Sequence, residues 1–165
     1  MSAGFLLKEK PMSNGIKVHL TQEGFNDLQA EVNDLKAKLP QAVERVAKAR
    51  EHGDLSENSE YHAAREDLAF IQGRVEELEE VLGHASIIKN ASGDSVSLGS
   101  QVTVLTNDNK EITFTIVGEY EADPHKKKIS HDSPLGKALF GKKVSDQVEY
   151  DAPVGRIIYK VKKVH

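Results

Sequence analysis

The chain has no cysteine, no tryptophan, five prolines and only 5% aromatic residues in its 165 positions. Without cysteine there are no disulfides and no thiolate metal sites, which is compatible with a reducing cytosol, and the expected location is cytoplasmic. So little aromatic material leaves little from which to build an aromatic-lined ligand pocket. Near the start the longest apolar run is Phe5-Leu6-Leu7, far too short for a signal-peptide core or a membrane span, and no membrane partner is expected. The sequence also lacks GxSxG, P-loop and HExxH motifs. None of its seven histidines forms a close helical pair beside a third ligand. A self-contained enzyme is therefore not expected.

The net charge of −4 conceals an asymmetry. From Asp54 to Leu82 nine Asp or Glu residues face two arginines, whereas from Gln101 onward eleven Lys or Arg accompany nine acids. Proteins that bind duplex DNA unaided draw most of that affinity from counterion release at a basic face. The acidic stretch argues against such binding here. Lys126-Lys127-Lys128 is read as a solvated loop.

What is present is a pair of heptad seams. Apolar or small residues recur at Phe25, Leu28, Val32, Leu35, Leu39, Ala42, Val46 and Ala49, alternating steps of three and four. A second seam runs through Tyr61, Ala64, Leu68, Ile71, Val75, Leu78 and Leu82. Two seams joined by a short connection fold back as an antiparallel hairpin. Matching them outward from the turn sets Ala49 against Tyr61, Val46 against Ala64, Ala42 against Leu68, and so on to Leu28 against Leu82, which centres the turn on Leu55. Thr21 is the predicted N-cap of the first helix and Gly83 the stop of the second. At about 1.5 Å per residue the arm projects roughly 45 Å from Phe25 to the turn. Pro40 falls inside the first helix, but the seam keeps its phase across it, so a kink is predicted rather than a break.

After Ala85 the period changes to two. Val102–Leu105 and Ile112–Ile116 read as strands joined through Asn107-Asp108-Asn109. Ser133-Pro134 opens a short helix to Phe140 with Gly141 at its stop, and Gln147–Asp151 with Arg156–Val164 form a second hairpin presenting Ile157, Tyr159 and Val161 on one face. The expected fold class is α+β: a flexible leader over residues 1–15, a coiled-coil hairpin over 16–84, and a small antiparallel β domain with one short helix over 85–165. The seams are satisfied within one chain, so a monomer is expected.

The turn reads Arg50-Glu51-His52-Gly53-Asp54-Leu55-Ser56-Glu57-Asn58-Ser59-Glu60-Tyr61. Asp54 and Glu57 have the spacing of a capping box for the second helix. They are also two carboxylates at the end of a long arm, too few for a Mg²⁺ site unless a partner adds oxygens. Arg50 is either a contact for RNA or for acidic groups or a solvated helix residue. Asn58 either caps the second helix or orients Glu57. Tyr61 lies on the seam and is read as core, with its hydroxyl in reach of the tip.

The run Arg50 to Glu66 resembles, almost residue by residue, the tip signature of the Gre transcript-cleavage factor family. The likeness extends from about Val18 to the C-terminus and includes Pro40, Asp132-Ser133-Pro134-Leu135 and Gly141-Lys142. The resemblance implies that the second domain is FKBP-like in fold and docks on bacterial RNA polymerase at the entrance of its secondary channel, with Asp132, Ser133 and Pro134 as contacts. It further implies that the arm enters the channel of backtracked polymerase. There Asp54 and Glu57 would help hold the second catalytic Mg²⁺ and orient the water that cleaves the nascent RNA 3′ end. Two alternatives compete: a Gre-like inhibitor that occupies the channel without stimulating cleavage, and an FKBP-like binding or chaperone module. Inhibitory relatives depart from the family pattern at the tip, which here matches the active form. The low aromatic content counts against the module.

Overall fold

The computed structural model describes residues 17–52, 58–89 and 93–165. The leader expected over residues 1–15 lies outside them.

Thr21 begins the first helix as its sequence position predicts. Its Oγ1 accepts the Gly24 N–H at 3.0 Å, satisfying one of the donors that a first turn leaves open. Helix α1, Gln22–Arg50, then runs through Pro40 without a break. Helix α2, Ser59–Gly83, packs back along it. Leu28, Val32, Ala42, Val46 and Ala49 on α1 and Tyr61, Ala64, Val75 and Leu78 on α2 are buried, and the remaining seam residues are partly buried. Ion pairs Arg45–Asp67 and Arg74–Glu31, both at 2.9 Å, and Lys36–Glu79 join the helices. Exposed pairs of this kind contribute little to stability, but they straddle the predicted register and so corroborate it independently of the apolar seam.

The root of the arm holds two strands that the sequence reading lacks. Strand β1, Val18–Leu20, runs parallel to β2, Ala85–Ile87, with Val18 opposite Ala85. Val18 N–H donates to the His84 carbonyl at 3.0 Å and Ile88 N–H to the Leu20 carbonyl at 2.8 Å. Three residues are too few to display a period of two. Their anchor is Leu20, fully buried with Leu28, Val32, Leu78 and Val81. Where Leu20 joins the cluster, the buried position on α2 moves from the expected Leu82 to Val81.

The C-terminal half comprises β3 (Gln101–Leu105), β4 (Glu111–Val117), β5 (Lys128–Ser130), α3 (Pro134–Leu139), β6 (Gln147–Ala152) and β7 (Gly155–Val164). They form one sheet in the order β5-β4-β3-β7-β6. The sheet is mixed where an antiparallel one was expected, because β5 runs parallel to β4. After Val117 the chain passes through two 3₁₀ turns, Glu119–Glu121 and Pro124–Lys126, and re-enters the sheet edge in the direction it left. Val102, Val104, Phe114, Ile116, Val148 and Val161 pack with Leu135 and Leu139 of α3 into the core. Gly141, at φ +78°, supplies the left-handed stop after α3.

Among the described residues the halves are joined by an ion pair of Lys128 with Glu23 at 3.4 Å and by two close approaches. The Glu121 carboxylate reaches over Gly24, where Oε2 accepts the Thr21 N–H at 2.9 Å and Oε1 accepts the Thr21 hydroxyl. A Cβ on Gly24 would lie 2.0 Å from the Glu121 carboxyl carbon, and one on Gly118 would lie 2.2 Å from the backbone oxygen of His19 in β1. Both glycines serve here as missing volume.

Candidate functional site

The far end of the arm is assembled from the last turn of α1 and the first of α2. Ala49 and Tyr61 are buried and cluster with Val46 and Ala64, with Leu68 against them. Large residues therefore meet small ones near the tip as the seam predicts, which lets the helix axes approach.

Asn58 ties the two helices together. It is the N-cap of α2, where its Oδ1 accepts the Tyr61 N–H at 3.1 Å, and its Nδ2 donates to the Ala49 carbonyl of α1 at 2.9 Å. One amide thus satisfies an open donor at the start of one helix and a carbonyl in the last turn of the other. Of the two roles left open by the sequence, capping is observed, while Glu57, which the other role concerns, lies outside the described residues. The same finding corrects the capping-box reading: α2 starts at Ser59, so Asp54 is not its cap and Glu57 is not its third residue. The physical reason is that a carboxylate has no N–H with which to reach α1, whereas the amide serves both helices. Asp54 and Glu57 themselves lie outside the described residues.

Tyr61 is core, and it carries charge on its rim. The guanidinium carbons of Arg50 and Arg65 each stand 5.7 Å from its ring centroid, a cation–π arrangement on both counts. Arg50 is thus engaged at the tip rather than freely solvated. Arg65 was not singled out from the sequence, although its place one helical turn after Tyr61 is the spacing at which such a partner is found.

The Arg50 guanidinium beside the Tyr61 hydroxyl holds that phenol below the usual tyrosine range, with Arg65 adding to the pull and burial opposing it. Burial, and then Tyr159, push Tyr150 the other way. Folding therefore favours ionised Tyr61: stability grows as pH rises through the lowered folded value toward the ordinary value of about 10, and is lost again as pH falls. An ultraviolet tyrosinate titration of the folded protein is expected to spread, with Tyr61 first and Tyr150 last. Tyr61→Phe should delete the earliest step.

The second group of candidates lies at the start of α3. Ser133 is its N-cap: the hydroxyl donates to the Ser130 carbonyl at 2.7 Å and accepts the Gly136 N–H at 3.0 Å. That use leaves Asp132 and Pro134 as the exposed neighbours, with the Asp132 carboxylate 3.5 Å from the His131 ring. Beside them an open apolar hollow of about 310 Å³ is lined by Ile129, Pro134, Leu135, Tyr150 and Pro153. Its one aromatic side chain is Tyr150.

Among the described residues no group of three or more His, Asp or Glu side chains is placed to hold a metal ion. No described helix is long and apolar enough to cross a membrane.

The family model for the N-terminal part of transcription elongation factors matches residues 18–87, and that for the C-terminal part of GreA/GreB matches residues 90–165. The chain is 47% identical over 152 residues to transcription elongation factor GreA of Rhodospirillum rubrum, covering 90% of this chain and 97% of that one. It is 45% identical over 149 residues to GreA of Lactococcus lactis subsp. cremoris, covering 88% and 96%. Among solved structures, GreA factor homolog 1 (Gfh1) of Thermus thermophilus is similar at 30% identity and a TM-score of 0.44, covering 91% of this chain and 99% of that one. With both family models matched across nearly all of the described residues, the chain belongs to the GreA/GreB family of transcription elongation factors.

Proposed function

We propose that this protein stimulates bacterial RNA polymerase to cleave the 3′ end of its own transcript in backtracked complexes, acting as a partner of the polymerase's active centre. The observation that carries this reading is the construction of the arm: two helices narrowed by Ala49 and Ala64 and tied at the far end by Asn58, with the Asp54 and Glu57 segment between them in sequence. A slender arm of this kind supports entry into a narrow passage such as the polymerase's secondary channel. The arginines at Tyr61 add positive charge where a nascent RNA 3′ end would arrive.

Asp54 and Glu57 are hard oxygen donors of the kind Mg²⁺ prefers. Two carboxylates fall short of its six ligands, so polymerase and RNA would supply the rest. When bound, the ion supplies Lewis-acid polarisation and a more acidic water for phosphodiester hydrolysis. The role of Asp54 and Glu57 is to share in holding the ion and to orient that water by accepting its hydrogen bonds. Asp132 and Pro134, presented by the Ser133 cap, are the docking contacts at the channel entrance.

The test is to incubate stalled, backtracked polymerase complexes with the protein and Mg²⁺ and follow the labelled RNA. Shortening of the transcript is expected, and transcripts of unchanged length would sink the proposal. Asp132→Ala and Pro134→Ala should raise the protein concentration needed for half-maximal cleavage by about tenfold, the equivalent of roughly 1.4 kcal/mol of binding. The maximal rate should not change.

A further inference from the structure

Transcript cleavage needs more of the tip than two carboxylates, because residues 53–57 follow one helix in sequence and precede the other, and the separation of those two helix ends must be fixed. Among the described residues the Asn58 side chain links these two ends by hydrogen bonds. Asn58 accepts from Tyr61 N–H at 3.1 Å with one end of its amide and donates to the Ala49 carbonyl at 2.9 Å with the other, nine positions back in the chain. Both groups belong to buried residues, Ala49 at 1% and Tyr61 at 6% exposure. The tie is therefore anchored in the packed layer of Val46, Ala49, Tyr61 and Ala64, not in solvent-facing side chains.

We infer that Asn58 is a positioning residue for the cleavage reaction: by bridging the end of α1 to the start of α2 it sets the geometry from which Asp54 and Glu57 are presented. The inference rests on the cleavage reading above. It separates two functions that a single asparagine combines. Capping α2 needs only the oxygen acceptor, and asparagine, aspartate and serine all provide one. Bridging to Ala49 needs the N–H donor, which neither replacement can place there. Among the described residues, the neighbouring groups at the turn make different contacts. Glu51 N–H and His52 N–H donate back within α1, to Lys48 and Ala49 carbonyls at 3.2 and 3.4 Å. Arg50 lies against Tyr61 through its guanidinium, a contact set by long flexible side chains.

Misplacement of reacting groups by about 1 Å can cost on the order of a hundredfold in rate. The experiment uses the full-length protein with Asn58→Asp and Asn58→Ser, in the backtracked-complex assay with Mg²⁺. Both variants keep a cap for α2, so helix content by circular dichroism and the protein concentration at half-maximal cleavage should stay within about twofold of wild type. Maximal cleavage rate should fall about 10- to 100-fold in both, and the Mg²⁺ concentration for half-maximal rate should rise. A merely structural cap would leave that split between rate and binding unmoved.

The serine variant guards against a charge artefact, since aspartate adds a carboxylate near Asp54 and Glu57. If Asn58→Asp is impaired while Asn58→Ser is normal, the bridge is not what matters and the inference is overturned. It is equally overturned if both variants match wild type while wild type cleaves well, an outcome that leaves the cleavage reading standing. A wild type that does not stimulate cleavage overturns the functional reading and the positioning role with it.

Discussion

Asp54→Ala is expected to reduce the maximal rate of stimulated transcript cleavage by roughly 100-fold, with Glu57→Ala close behind it, the scale seen when a group acting on developing charge is removed from an active centre. Binding to polymerase should be unchanged if docking runs, as proposed, through Asp132 and Pro134. Asp54→Asn is the sharper probe: it keeps the size and one oxygen but removes the charge, and a metal-holding role requires it to behave like alanine. If the two carboxylates share one ion, the double variant should be little worse than the poorer single one, since residues that work as a unit are not additive. Thermal stability supplies the control. Asn58, not Asp54, caps α2, so alanine at position 54 should move the unfolding midpoint by less than about 1 °C, below the roughly 2–4 °C that losing a helix cap worth ~1 kcal/mol would cost in a chain of this size. Normal cleavage by both single variants would refute the tip mechanism.

Gly118→Ala should strike the joint between the halves. The glycine has φ −70°, which any residue adopts, so what it provides is space alone. A methyl group there would meet the His19 backbone oxygen at 2.2 Å, and the His19 backbone, flanked by Val18 and Leu20 whose hydrogen bonds tie β1 to β2, cannot swing aside as a side chain can. Overpacking of this kind costs about 1–3 kcal/mol, or roughly 3–10 °C of unfolding midpoint in a chain of this size. Gly24→Ala should be milder, because the atom it meets is the end of the flexible Glu121 side chain. Its loss is the pair of hydrogen bonds to Thr21. Gly73→Ala reverses the sign: nothing lies within 4 Å of the added methyl, in the interior of α2, and removing a helical glycine should stabilise by about 0.5–1 kcal/mol. Calorimetry on the three variants tests the ranking, and a Gly118→Ala protein as stable as wild type would remove the close approach from the account.

The hairpin was readable because burial in two packed helices imposes one period over many turns. Phe25 to Ala49 and Tyr61 to Leu82 each repeat it often enough that register follows from spacing, and Thr21 marks the start through ordinary capping chemistry. Strands β3, β4, β6 and β7 and the Ser133-Pro134 helix start were legible for the same reason: each carries its own local signal. Strands β1, β2 and β5 carry none. They are three residues long, and their pairing is decided by partners far away in sequence, Val18 with Ala85 and Thr115 with Lys128. The parallel edge of the sheet was missed with β5. At the tip, the sequence singled out Asn58, Arg50 and Tyr61, yet the bridge to Ala49 depends on a carbonyl, and backbone groups have no letter in a sequence. Glu121 and Gly24 were invisible for a related cause, since the value of a glycine lies in what a distant residue does with the empty space.

The β1–β2 pair has a mechanical meaning. Because the two strands are parallel neighbours, the whole arm is the crossover between them, and its two roots are fastened side by side by the Val18 and Ile88 hydrogen bonds. A load applied at the far end cannot peel one helix from the other at the base; it acts on the arm as on a lever, and the base carries the torque. The first contacts beyond that base are Glu121 on Thr21 and Gly118 against His19. The length that gives the tip its reach thereby multiplies any force felt there into a strain on the joint with the C-terminal domain.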